Sequence, residues 1–192
     1  MSGIVQGVDQ TVEEMGGRSA KGRGSGRGRK EHDPDEERRE AKEYALLLLS
    51  YRMRSEAETR ERLSRRGYAP DLIAATVLDL SRVGLLDDRE FSRGWIRNRL
   101  ATNPAGRRVI RLELGRKGID AAIIDEALRE IENEYDERAL AMRVARKKIG
   151  QYGGLDRGIV RRRLVALLAR RGFEYGVIEE VVRELLEPEQ GG

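Results

Sequence analysis

The chain has 192 residues, 38 Lys and Arg against 34 Asp and Glu, no cysteine, and a formal charge of +4. Without cysteine there is no disulfide frame and no thiolate metal site, which fits a reducing cytoplasm, and so small a net charge admits a polyanion partner without requiring one. At 38% charged and 5% aromatic residues, the composition suits helices with much surface and thin cores that lean on their neighbours.

Residues 1–34 are poor in apolar side chains and centre on GGRSAKGRGSGRGRK, so they are predicted to be a disordered Arg/Gly-rich tail. Such a tail is either an arm for single-stranded nucleic acid or simply solvated. Nothing in the polar N-terminus reads as a signal peptide, and the apolar run from Ala45 to Leu49 is too short to span a membrane. A first helix is expected from about Asp35 to Arg52, with carboxylates at its positive end, burying Tyr44, Ala45 and Leu48. Ser55-Glu56-Ala57-Glu58 is a capping box that opens a second helix, Ser55 as N-cap and Glu58 reaching back.

The third helix runs from Pro70, at a position where its missing N–H costs nothing, to Arg82, ahead of Gly84. In Leu86-Asp87-Asp88-Arg89-Glu90-Phe91, Asp87 caps the fourth helix, Glu90 completes the box and Leu86 staples to Phe91. That helix continues to about Leu100, and Thr102-Asn103-Pro104-Ala105-Gly106 breaks it. Val109, Ile110, Leu112 and Leu114 mark the apolar side of the fifth segment, 106–117, although their spacing leaves a strand open. Beyond Gly118, Ile123, Ile124, Ala127, Leu128 and Ile131 form the stripe of a sixth helix. A seventh covers Asp136 to Gln151; after a glycine loop the eighth and ninth follow, Pro188 closes the last, and 189–192 are predicted disordered.

This pattern repeats. Arg65-Arg66-Gly67-Tyr68, Arg116-Lys117-Gly118-Ile119 and Arg170-Arg171-Gly172-Phe173 are followed by apolar residues at identical offsets, with a period a little over fifty residues. A glycine after a basic last turn ends a helix, because it enters the left-handed conformation freely while the cations face the negative end of the dipole. Gly67, Gly118 and Gly172 are therefore structural caps, like Ser55 and Asp87. An apolar residue, a candidate N-cap and a second apolar residue then staple the next helix. The predicted fold is all-α: three tandem three-helix repeats resembling helix-turn-helix units, at 35–84, 85–133 and 134–188, in an elongated curved array.

Charge is expected to be striped. The fifth helix carries Arg107, Arg108, Arg111, Arg116 and Lys117 against Glu113, and the eighth carries Arg157, Arg161, Arg162, Arg163, Arg170 and Arg171 with no acid. The sixth and ninth are acidic. A helix-turn-helix reads the major groove with its last helix, which needs donors, so acidic last helices disfavour sequence-specific reading while the second helices could touch phosphates.

Motifs that suggest chemistry have simpler explanations. Asp87, Asp88 and Glu90 form a cap before they form a metal cluster; Asp33-Pro34-Asp35 lacks the glycine an EF-hand needs; His32 is the single histidine; and Gly17 to Gly22 has phosphate-loop spacing but Arg23 follows it. No enzyme, metal or cofactor is expected.

In combination and order, Arg52-Met53-Arg54-Ser55-Glu56 with Glu58 and Leu63, Gly84-Leu85-Leu86-Asp87-Asp88 with Phe91, Gly106 to Ile110 with Leu114 and Lys117-Gly118-Ile119, and Arg170-Arg171-Gly172-Phe173 resemble the RecX regulatory proteins over about residues 40–187. Leu85-Leu86 replaces a more usual aromatic-aliphatic pair, and Ser92 stands where alanine is common. The resemblance implies a non-enzymatic cytoplasmic monomer that binds the groove of the RecA filament on single-stranded DNA and inhibits recombinase and coprotease activity, with a place in homologous recombination, DNA repair and the SOS response. Direct nucleic-acid binding is expected to be weak, and no membrane is involved. Arg107, Arg108, Arg111, Arg116, Lys117, Arg161, Arg162, Arg163, Arg170 and Arg171 are the expected contacts to filament or phosphate. The alternatives are a helix-turn-helix DNA-binding protein and a structural adaptor independent of RecA.

Overall fold

The computed structural model describes residues 33–132 and 134–186. The expected tail up to His32, with its Gly17 to Gly22 motif, the residues Asn133 and Glu187, the closing Pro188 and the 189–192 terminus lie outside the described residues. Among those described there are nine α-helices and no strand: α1 (Pro34–Tyr51), α2 (Glu56–Arg66), α3 (Pro70–Arg82), α4 (Asp88–Thr102), α5 (Arg107–Arg116), α6 (Ala121–Glu132), α7 (Glu137–Ile149), α8 (Arg157–Arg170) and α9 (Tyr175–Leu186), with a 3-10 turn at Gly150–Tyr152. The segment whose spacing left a strand open is thus a helix. Ile110 and Leu114, four apart, are buried in it, while Leu112 lies on the opposite side and is 51% exposed.

Local chemistry explains where the helices begin. Asp33 accepts the Asp35 N–H at 3.0 Å and Pro34 occupies the first helical position, so α1 starts one residue before the expected Asp35. At its other end Arg54, itself buried, donates Nε–H to the Leu48 carbonyl at 3.3 Å. The capping box forms as expected: the Glu58 N–H donates to Ser55 Oγ at 3.1 Å and the Ser55 N–H to Glu58 Oε2 at 3.3 Å. Asp87 caps α4 by accepting from the Arg89 and Glu90 N–H groups. Glu90, expected to return the bond, instead pairs with Arg93 at 3.2 Å.

The chain divides into two compact units. In the first, described residues up to Arg54 join Thr59 to Asp79, and Ala41, Ala45, Leu48, Leu63, Ile73 and Val77 are buried, with Tyr44 half-buried. The second takes Ser55–Glu58 and everything from Leu80 onward. Two cores lie within it. One gathers Phe91, Ile96, Ile110, Leu114, Ile124 and Leu128 from α4 to α6; the other gathers Met142, Leu164, Leu168, Phe173, Ile178 and Val182 from α7 to α9 and the turn before α9. Leu140 packs against both. Each fully buried Leu or Ile contributes about 1.5 to 3 kcal/mol, so neither small core carries much reserve.

The three repeat turns share one geometry. Gly67, Gly118 and Gly172 have φ of 95°, 76° and 82°, and the following residue's N–H bonds back to a buried leucine: Tyr68 to Leu63, Ile119 to Leu114 and Phe173 to Leu168. This pairing satisfies carbonyls that a helix end leaves open. Ile119 with Ile124, and Phe173 with Ile178, then enter the same core on each side of the turn.

Within the second unit a seam recurs. Ser55 and Gly106 each lie twelve residues before a turn glycine and each open a second helix. Ser55 Oγ–H donates to the Lys117 carbonyl at 2.7 Å, and the Gly106 N–H donates to the Arg171 carbonyl at 2.9 Å. In both cases the start of one second helix docks on the end of the next one along the chain.

Candidate functional site

The basic helices α5 and α8, with the C-cap residues Lys117 and Arg171 that follow them, hold the ten expected contact residues, and most of those cations already have work inside the fold. Lys117 ion-pairs with Glu58 at 2.8 Å, both less than one-fifth exposed, and its ammonium sits 4.2 Å from the Trp95 ring centre. Arg171 bonds to Asn103 Oδ1 and, at 3.1 Å, to the Pro104 carbonyl. Burial pushes its guanidinium below the ordinary arginine value, and the like charge of Arg99 adds to that. Arg108 donates to the Ala169 carbonyl at 2.9 Å, across the seam. Arg111 pairs with Asp125 at 2.6 Å and Arg161 with Glu179 at 2.7 Å. Arg163 lies over the Tyr152 ring at 5.5 Å. Arg107 lines a cavity of about 210 Å³ together with Ile96, Leu128, Ile131, Tyr135 and Glu137.

Three of the ten, Arg116, Arg162 and Arg170, are exposed and have no hydrogen bond or ion pair among the described residues. Arg157, at the start of α8, is in the same state. The single acid of α5, Glu113, is held by both faces of the Arg99 fork at 3.0 to 3.2 Å, so it does not offset the α5 cations from solvent.

The acidic last helices behave differently. Asp79, Glu130 and Glu184 each lie twelve residues after a turn glycine, and each pairs with an arginine from the first helix of its own three: Arg38 at 2.8 Å, Arg93 at 2.9 Å, and Arg138. Around Glu130 this becomes a ladder, with Arg89 to Glu126 and Arg97 to Glu134 at the same four-residue step. The partners stand 37 residues apart in the chain. The Arg97 hydrogen bond holds the Glu134 carboxyl below the usual carboxylate range. Sequence reasoning missed this ladder, although Arg89-x3-Arg93-x3-Arg97 against Glu126-x3-Glu130-x3-Glu134 is its trace.

Asp87, Asp88 and Glu90 do not converge. Asp87 caps α4, Asp88 Oδ1 accepts the Glu56 N–H at 2.9 Å, and Glu90 faces Arg93. Among the described residues no group of three His, Cys, Asp or Glu is placed to hold a metal ion, and no helix is long and apolar enough to cross a membrane.

Comparison with known proteins matches three family models in order: the first three-helix domain of RecX at residues 41–80, the second at 87–128 and the third at 135–182. The chain is 35% identical over 152 residues to the regulatory protein RecX of Amycolatopsis mediterranei, covering 79% of this chain and 86% of that one. To the regulatory protein RecX of Mycolicibacterium vanbaalenii it is 40% identical over 157 residues, covering 79% and 85%. The crystal structure of RecX from Lactobacillus salivarius shares the fold at a TM-score of 0.70, with 24% identity over 79% of this chain and 97% of that one.

Proposed function

Because the chain belongs to the RecX family of regulatory proteins, we propose that it binds the groove of a RecA filament on single-stranded DNA and inhibits recombinase and coprotease activity. It does so in the cytoplasm, as a monomer, by contact and without chemistry of its own. The observation that carries this reading is the unequal use of charge. Carboxylates of the third helices are engaged by arginines of the first helices, while Arg116, Arg162 and Arg170 on the second helices stay exposed and unpartnered among the described residues. Unpaired guanidiniums suit a surface that offers acidic side chains and DNA phosphate together. The acidic composition of the last helices weakens the groove-reading alternative, since they carry few donors for bases.

Reversing Arg107, Arg108 and Arg111 would be a poor test, because Arg108 and Arg111 have internal partners. The better variant is Arg116→Glu with Arg162→Glu and Arg170→Glu. RecA ATP hydrolysis and filament persistence on single-stranded DNA are measured with substoichiometric protein. The native chain should shorten filaments, and the triple variant should need about tenfold more protein for the same effect, the order of a lost close charge pair, with helical circular dichroism unchanged. Equal inhibition by the variant would move the contact elsewhere. No inhibition by the native chain, with tight binding to bare duplex, would favour the helix-turn-helix reading.

A further inference from the structure

A cleft of about 460 Å³ opens within the second unit, between the end of α4 with its following loop, α7 with the 3-10 turn, and the end of α8. Arg143, Lys147, Lys148 and Arg171 line it, with Asn103 and Gln151 as polar neighbours, and none of the described residues lining it is acidic. Several arginines elsewhere in the same unit are matched to carboxylates: Arg93 to Glu130, Arg97 to Glu134, Arg99 to Glu113, Arg138 to Glu184 and Arg161 to Glu179.

The four cations fall into two kinds. Arg143 donates to the Leu100 and Ala101 carbonyls at the end of α4, and Arg171 to Asn103 and Pro104. These bonds fix the two guanidiniums as walls, but carbonyls and amides do not cancel their charge. Lys147 and Lys148 have no hydrogen bond or ion pair among the described residues, one exposed and one half-buried. Cations in the last turn of α7 complement its dipole, which accounts for Lys147 and Lys148 in part. It does not account for Arg143, nor for Arg171 arriving from α8.

We propose that this cleft binds the phosphodiester backbone of a nucleic-acid strand, with Lys147 and Lys148 as the phosphate contacts between the fixed guanidiniums of Arg143 and Arg171. Phosphate is favoured over an acidic peptide because one terminal nitrogen of each guanidinium is already held by carbonyl or amide oxygens, which leaves the two lysines as the free contacts, and lysine serves phosphate as a mobile point charge. Among the described residues lining the cleft none is aromatic, so these walls give bases no platform to stack on and contact is independent of sequence. The site stands on α7 and does not depend on the recombinase reading above.

The test uses the full chain and a fluorescent oligo-dT strand with no recombinase present, titrated across salt concentrations. Lys147→Gln with Lys148→Gln should leave the helical spectrum unchanged and reduce the slope of log affinity against log salt by about 1.4, two single-strand phosphate contacts at about 0.7 each. Poly-glutamate is the competing probe. An unchanged slope and affinity would overturn the proposal, and so would poly-glutamate binding that is tighter than oligo-dT and lost in the same variant. A variant that loses strand binding but still shortens RecA filaments would support the cleft and separate it from the arginines of α5 and α8.

Discussion

The two seams of the second unit solve one packing problem in different ways. At the first, Ser55 reaches the Lys117 carbonyl with a hydroxyl, and a Cβ built on Gly118 would fall 2.3 Å from the Ala57 Cβ. At the second, the Gly106 backbone itself bonds to Arg171, and a Cβ built on Gly106 would fall 2.1 Å from the Gly172 carbonyl oxygen and 2.5 Å from the Phe173 nitrogen. One seam is closed by side chains and the other by backbone. Side chains can be trimmed to make room, and backbone in a fixed turn cannot.

The largest effect is therefore expected at Gly106. Its own φ of −75° is open to any residue, so Gly106→Ala carries no conformational strain, and its whole cost comes from forcing the seam apart. That should reach or exceed the upper end of the roughly 1 to 3 kcal/mol typical of overpacking. Thermal unfolding measures it, and no truncation of a single neighbour should recover it. A loss below about 0.5 kcal/mol, the range of ordinary surface substitutions, would mean that the seam is not closed as described.

Gly118 sharpens the contrast. Gly118→Ala incurs about 1 to 2 kcal/mol for an L residue in the left-handed region, plus the clash with Ala57. Ala57→Gly removes that clash at a cost of up to about 1 kcal/mol in helix propensity. The double variant should then be more stable than the sum of the two by at least about 0.5 kcal/mol, the coupling expected of touching residues. Gly67 supplies the reference: its φ is 95° and a Cβ there would meet nothing within 4 Å, so Gly67→Ala should show the strain alone. Strict additivity at 57 and 118 in urea unfolding would remove the side-chain account of that seam.

The turns were legible because their signals are short. A basic pair, a glycine, an apolar residue and a cap span a few positions, and the left-handed glycines with their back-bonded neighbours follow directly from them. The caps at Ser55 and Asp87 were legible for the same reason. α1 begins one residue before Asp35 because Pro34 takes the first helical position beside its capping Asp33, a position that composition alone groups with the tail. Partners of the arginines were not legible. Arg171 meets Asn103 across 68 residues and Arg108 meets Ala169 across 61, distances set by how the repeats stack and by no local pattern. A run such as Arg146-Lys147-Lys148 reads in sequence as an ordinary helix end, and only the placement of Arg143 and Arg171 turns it into one wall of a cleft.

The weakest of these interactions, the exposed ladder between α4 and the end of α6, differs from both seams in being open to water. Arg97 and Glu134 are each nearly half exposed, and surface pairs of this kind contribute little. Stability is thus a poor probe of it, and proton binding is a better one. The Glu134 carboxyl is held below its ordinary value chiefly by the Arg97 hydrogen bond. Whatever stability the pair contributes is present above the unfolded carboxylate value and is lost as pH falls through the lower folded one. Arg97→Gln should return the Glu134 titration, followed by NMR, upward toward the ordinary carboxylate range. If Glu134 does not move in that variant, Arg97 is not what holds it, and the ladder ends one rung short.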